Sequence, residues 1–302
     1  MTATAHTTAL PPPPDSVPRR LQRWLYGHRN LQLSLLLGLP LLALVIIYFG
    51  SLLLLLVNAF WTLDPATARI RQELSLENFA DILASAVYRT ITLRTIGMAL
   101  LVTVTCALLG FPVAYYMARI ASVRTRRLLL LGVLLPLWAS YLVKVFAWRA
   151  ILQQQGVLNW LLDPLGLQGP GYGDVAVWLV FTYLWLPYMI TPIYAGLERI
   201  PNSMLEASSD LGGRAATTFR RVTLPLAFPA VVAGSIFTFS LTMGDYITPA
   251  LVSSTQFLGN VVQREVGVSN NLPLAAALAT IPILVMLVYL FVARRLGAFE
   301  AL

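Results

Sequence analysis

Residues 206–225 read E-A-S-S-D-L-G-G-R-A-A-T-T-F-R-R-V-T-L-P and lie between two apolar runs, 174–197 and 226–251. Just upstream the spacing is helical, with Met204, Leu205, Ser208 and Leu211 recurring along one side of residues 202–212. The pair Gly212–Gly213 marks a helix C-terminus. A second short helix, 215–222, leads to Leu224–Pro225, where the next apolar run begins. A helix–glycine–helix unit in a short loop is a shaped object suited to docking another protein.

Outward from this loop the chain is apolar. Of its 302 residues, 58% are hydrophobic and 11% charged, against about 25% charged in soluble domains. A mean hydropathy of +0.73 agrees. A helix needs about 20 apolar residues to cross a bilayer. Six segments qualify, near 33–59, 93–118, 128–151, 174–197, 226–251 and 274–294. The expected fold is an all-α polytopic membrane protein of about six spans. Segment 72–92 is amphipathic and too polar to span; it is expected on the outer surface or against the bundle. Residues 1–30 are expected to form a disordered basic cytoplasmic tail, 31–297 the membrane domain, and 298–302 a short tail.

Arginine placement sets the expected orientation. With the N-terminus inside, the internal regions hold Arg19, Arg20, Arg23, Arg29, Arg119, Arg124, Arg126, Arg127, Arg199, Arg214, Arg220, Arg221, Arg294 and Arg295. The external regions hold Arg69, Arg71, Arg89, Arg94 and Arg264. A bias of 14 to 5 places both termini in the cytoplasm. The net charge of +8 is therefore read as basic cytoplasmic loops rather than a nucleic-acid stripe.

Several chemistries are excluded by inventory. The two histidines, His6 and His28, precede the first apolar run, and Cys106 is the single cysteine. Neither a metal cluster nor a nucleophile–base pair can be built from them. Lys144, the only lysine, follows Val143 rather than a glycine, so no phosphate-binding loop is present. No catalytic or metal residues are expected, and no cofactor in this chain.

Prolines fall within or beside most expected spans: Pro40, Pro112, Pro136, Pro187, Pro192, Pro249 and Pro282. They mark either broken helices around a path or only the higher proline content of membrane helices. Asp245 is the one acidic residue within an expected span. An ionised group there costs about 2.5–3.5 kcal/mol on insertion scales, which makes it a functional candidate. Its role stays open: lining a path, capping a broken helix near the outer face, or pairing with Lys144 or Arg149. The tryptophans read equally as an interfacial belt.

The 206–225 stretch resembles the cytoplasmic loop of permease subunits of type I ABC importers, the MetI-like fold. Glu206, Ala207, Gly212, Val222, Leu224 and Pro225 match at the family spacing, with Ser208 where a second alanine is usual. The resemblance implies a coupling loop, 198–225, that sits in a cleft of a separate ATPase. Glu206, Ala207, Ser208, Asp210, Leu211, Gly212 and Gly213 would make that contact. It further implies an ATPase dimer carrying ATP and Mg, a second permease subunit in a heterodimer, an extracytoplasmic solute-binding protein, and a bacterial inner membrane.

Residues 237–252 (FTFSLTMGDYITPALV) and 140–159 (SYLVKVFAWRAILQQQGVLN) resemble spermidine/putrescine-type permeases, with parts shared by importers of ferric iron and phosphonates. Asp245, Tyr246, Trp185, Tyr141 and Trp148 are the expected path residues, a carboxylate and aromatic faces for a polycation. The competing class is an ATP-independent transporter or channel, for which the shaped loop would have no purpose.

Overall fold

The computed structural model describes residues 29–64 and 66–297. The expected tails fall outside these residues, apart from 29 and 30, which are helical. The chain divides into two compact units, residues 1–55 and 56–302.

α1 (Arg29–Leu44) passes through a wide π turn (Val45–Phe49) into α2 (Gly50–Asn58), whose last three residues belong to the second unit. Its window Leu36–Asn58 is long and apolar enough to cross a membrane, and none of that window is buried.

The second unit continues with a two-residue antiparallel pairing of β1 (Thr62–Leu63) and β2 (Ile70–Arg71). Asp64 and Arg71 close this hairpin with a 2.7 Å ion pair. The Ala66 amide and the Arg71 guanidinium hold the Asp64 carboxyl below its ordinary range. The amphipathic segment 72–92 is not one element. Only α3 (Glu77–Ala84) is separate, held by Asn78 Nδ2 donating to the Ala59 and Trp61 carbonyls. Ser85 then caps α4 (Ala86–Tyr115), so residues 86–92 form the first turns of the second span. Local polarity hid this because the first two turns of a long span need not be apolar.

The expected third span is the main departure. α5 (Val123–Trp138) and α6 (Tyr141–Leu152) meet at 97°. Both Ala139 and Ser140 are extended, which breaks the hydrogen-bond ladder. After α7 (Val157–Leu162), α8 (Asp174–Arg199) runs unbroken through Pro187 and Pro192. The loop helix α9 (Asn202–Asp210) follows. The expected 215–222 helix is not free-standing. α10 (Ala215–Thr218), a π turn (Phe219–Thr223) and α11 (Leu224–Gly244) form one continuous span. The wide turn precedes Pro225, where the ring would otherwise meet the carbonyl four residues back. That span ends at Gly244, short of the expected 251. The short α12 (Ile247–Val252) and α13 (Leu258–Gly267) lead to α14 (Leu272–Arg295).

Prolines 112, 187, 192, 229 and 282 all lie inside helices. The sharp breaks fall at 139–140 and 245–246 instead. Five helices among the described residues can cross a membrane, or six counting the bent pair.

α8 is the centre of the bundle, packed against α4 and α11. Small residues set the close approaches, as expected where lipid supplies no hydrophobic drive between helices. A Cβ on Gly110 would lie 3.3 Å from Ile190 and Met189, and one on Gly196 would overlap Ala230 Cβ. Gly196→Ala is therefore expected to destabilise the bundle by about 1–3 kcal/mol through overpacking. A thermal unfolding midpoint equal to wild type in the same detergent would contradict this.

Candidate functional site

Two regions collect the residues singled out by the sequence. The first is the loop between α8 and α11. Gly212 takes φ +78, open to glycine at no steric cost. Its N–H donates to Ser209 O, and Gly213 N–H donates to Ser208 O at 2.9 Å. A Cβ on Gly213 would come within 2.6 Å of that same carbonyl oxygen. Ser208 Oγ meets Thr218 Oγ1 at 2.8 Å, which ties α9 to the start of the fifth span. Glu206, Ala207 and Asp210 are exposed. Leu211 stands 90% exposed beside a concavity of about 480 Å³ lined by Met204, Ala207, Ser208, Gly213 and Arg221. A large apolar side chain so fully in solvent, next to a hollow, is a surface suited to a protein partner.

The loop is anchored by residues that the sequence reading took only as positive charge. Arg119, at the end of the π turn Tyr116–Ile120 that extends α4, donates through Nη2 to Leu197 O at 2.6 Å and Ile200 O at 2.7 Å. Its Nη1 donates to Asn202 Oδ1 at 3.0 Å. Arg126 donates to the Met117 and Ala118 carbonyls and lies 3.4 Å from Glu198. Glu198 in turn accepts from Tyr194 OH. These guanidiniums donate to carbonyls at helix C-termini, where the intrahelical ladder runs out.

The second region lies at the break in the fifth span. Asp245 is extended, and its Oδ1 accepts from Ile247 N–H at 2.9 Å and Thr248 N–H at 3.0 Å, which caps α12. Its Oδ2 accepts a short hydrogen bond from Tyr141 OH, and Tyr141 also meets Thr248 Oγ1 at 2.7 Å. Neither Lys144 nor Arg149 pairs with Asp245 among the described residues; Arg149 sits over the Tyr172 ring at 6.0 Å. Tyr141 stacks on Trp185 with centroids 6.2 Å apart, and Trp185 packs against Phe181 and Tyr188. The buried Trp185 Nε1 has no hydrogen-bond partner among the described residues. Asp245, Tyr141 and Trp185 thus form one cluster.

The other two residues expected to line a path, Trp148 and Tyr246, lie elsewhere. Trp148 tilts against Tyr183 at 5.4 Å. Tyr246 lines a separate hollow with Met243, Gly259, Val262 and Pro282. Thr248, Phe181 and Tyr188 join the cluster although the sequence reading did not select them. Thr248 was legible in the Thr-Pro-Ala that follows Tyr246; Phe181 and Tyr188 needed only the helical spacing to Trp185.

Residues 106–299 match the family described as binding-protein-dependent transport system inner membrane component. The chain is 45% identical over 299 residues to the inner membrane ABC transporter permease protein YdcU of Escherichia coli (strain K12), covering 94% of this chain and 95% of that one. The chain belongs to this family of ABC transporter permeases. The permease is also 31% identical to the spermidine/putrescine transport system permease protein PotB of Haemophilus influenzae, over 80% of this chain and 86% of the relative. Its fold is that of a bacterial ABC transporter that imports alginate, with TM-score 0.69 at 17% identity, covering 92% of this chain and 98% of that chain. The permease is an inner-membrane transport subunit, not an enzyme, and ATP hydrolysis belongs to a separate chain.

Proposed function

We propose that this importer permease moves polyamines, spermidine or putrescine, through a path that passes the Asp245 cluster. The observation that carries the reading is the half-buried Asp245 carboxylate set against Tyr141 and the Trp185 aromatic group at a helix break. A polycation needs a carboxylate to offset charge and ring faces for its ammonium groups, each ring contact worth about 0.5–2 kcal/mol. The similarity to PotB supports the same substrate class.

In this reading both termini and loop 198–225 face the cytoplasm. Residues 203–213 dock on an ATPase dimer that carries ATP and Mg, and this chain binds no cofactor of its own. A second permease subunit completes the path as a heterodimer, and an extracytoplasmic binding protein delivers solute. A related alginate transporter has been crystallised with its substrate-bound periplasmic protein, which supports the last of these partners. Closure of the ATPases on ATP draws the loops together and opens the path outward; hydrolysis resets it.

The test is reconstitution with the products of the neighbouring genes, followed by ATP hydrolysis and uptake assays with spermidine, putrescine, ferric iron and a phosphonate. Polyamine-stimulated hydrolysis is expected. Stimulation by another solute alone would remove the polyamine reading and leave the importer standing.

A further inference from the structure

We infer that Arg119 is the positioning residue that makes α9 move as one piece with the second and fourth spans; this rests on the reading that residues 203–213 dock on the ATPase. α9 reaches the bundle by three routes. It is continuous with α8 through residues 200–201. It packs on α10 and the following π turn, where Ser208 meets Thr218 at the start of the fifth span. Its link to the second span is the Arg119 guanidinium.

The geometry of that link is specific. One terminal nitrogen, Nη2, bridges the carbonyls of Leu197 and Ile200, at the end of α8. The other, Nη1, holds Asn202 Oδ1, on the first residue of α9. Pro201 lies between, extended, and supplies no N–H to either side. The backbone joint between α8 and α9 is therefore a place where the two helices would pivot. The planar fork of Arg119 spans that joint and fixes both sides to the end of the second span. Arg126 ties the same end of that span, at the Met117 and Ala118 carbonyls, to Glu198 of α8. A push at α9 then reaches the fourth span and the second together, and these pack along the centre of the bundle.

Lysine cannot replace the fork: its three N–H donors radiate from one nitrogen, whereas here Nη2 serves the two carbonyls and the separate Nη1 serves Asn202 Oδ1. Asn202 is exposed and lies outside the docking residues, so Asn202→Ala removes half of the link with little effect on folding.

The test uses the complete transporter with its ATPase subunits. Spin labels are placed at Ser203→Cys, on the first turn of α9 ahead of the contact residues 206–213, and at Ile120→Cys, at the end of the second span; co-purification of the ATPase with the labelled protein is checked first, and distances are read by electron paramagnetic resonance with and without Mg-ATP. Wild type is expected to give one narrow distance distribution in both states. Asn202→Ala is expected to stay narrow without nucleotide and to split on Mg-ATP, with an unchanged unfolding midpoint. Arg119→Lys should do the same, and the double variant should look like either single. A wild-type distribution that shifts with Mg-ATP, or an Asn202→Ala distribution that stays narrow, overturns the inference. The docking reading fails separately, if Leu211→Asp still binds the ATPase as wild type does.

Discussion

Leu211→Asp is expected to abolish ATP-driven uptake by removing the ATPase from the complex while leaving the permease itself folded. Leu211 is 90% exposed at the tip of the turn after α9, so it contributes almost nothing to the stability of the isolated chain. Substitutions at such positions change stability by about 0.5 kcal/mol or less. A docked partner that covers Leu211 gains about 1.5–3 kcal/mol from its burial. Aspartate loses that gain and adds a charge that must be desolvated at the interface. In a heterodimer this chain supplies one of the two loops, and the loss at that loop is expected to weaken association by about ten-fold or more. The measurement is co-purification of the ATPase subunits with detergent-solubilised variant, beside a thermal unfolding curve. Undiminished co-purification would mean that the tip of this loop faces something other than the motor.

The shape of the loop between α8 and α11 was legible in the sequence because it is set locally. Gly212 needs a positive φ and Gly213 a missing Cβ, and both needs arise within five residues of where they are met. The apolar runs were legible for a related reason, since span length is a property of composition alone. Hydropathy reports length and not direction, and that is why the 97° bend at 139–140 escaped it: the residues on either side of Ala139–Ser140 are equally apolar. Tyr246 lies apart from the Asp245 cluster for a different reason. Asp245 leaves the helix in an extended conformation, so the next side chain points into the hollow lined by Val262 rather than toward Tyr141. Arg119 carried no signature, because two of its partners are backbone carbonyls 78 and 81 residues away, which any residue type could supply, and the third, Asn202, lies 83 residues away with no local pattern linking the two.

Asp245→Asn is expected to lower polyamine uptake by at least ten-fold with assembly intact, and Asp245→Ala to lower both. The two substitutions separate charge from capping. Asp245 Oδ1 accepts from Ile247 and Thr248 N–H, and asparagine caps helices as well as aspartate does. At Oδ2 the Tyr141 hydroxyl donates; an asparagine amide there would donate to that hydroxyl instead, leaving Tyr141 free to donate to Thr248 Oγ1, 2.7 Å away. The fold of the 245–248 corner is thus preserved while the charge is gone. Hydrogen bonds from an ammonium to a carboxylate are worth about 1.5–3 kcal/mol, which corresponds to about ten-fold to more than a hundred-fold in transport at limiting solute. Alanine, by contrast, leaves the Ile247 and Thr248 amides without their acceptor, at a cost of about 1–3 kcal/mol for each group left unpaired. Spermidine uptake in proteoliposomes and the unfolding midpoint of the solubilised permease give the two readouts. If Asp245→Asn transports as wild type, the carboxylate serves only to hold the corner. If it loses stability in step with uptake, the Tyr141–Asp245 bond is structural and the path for the cation runs elsewhere.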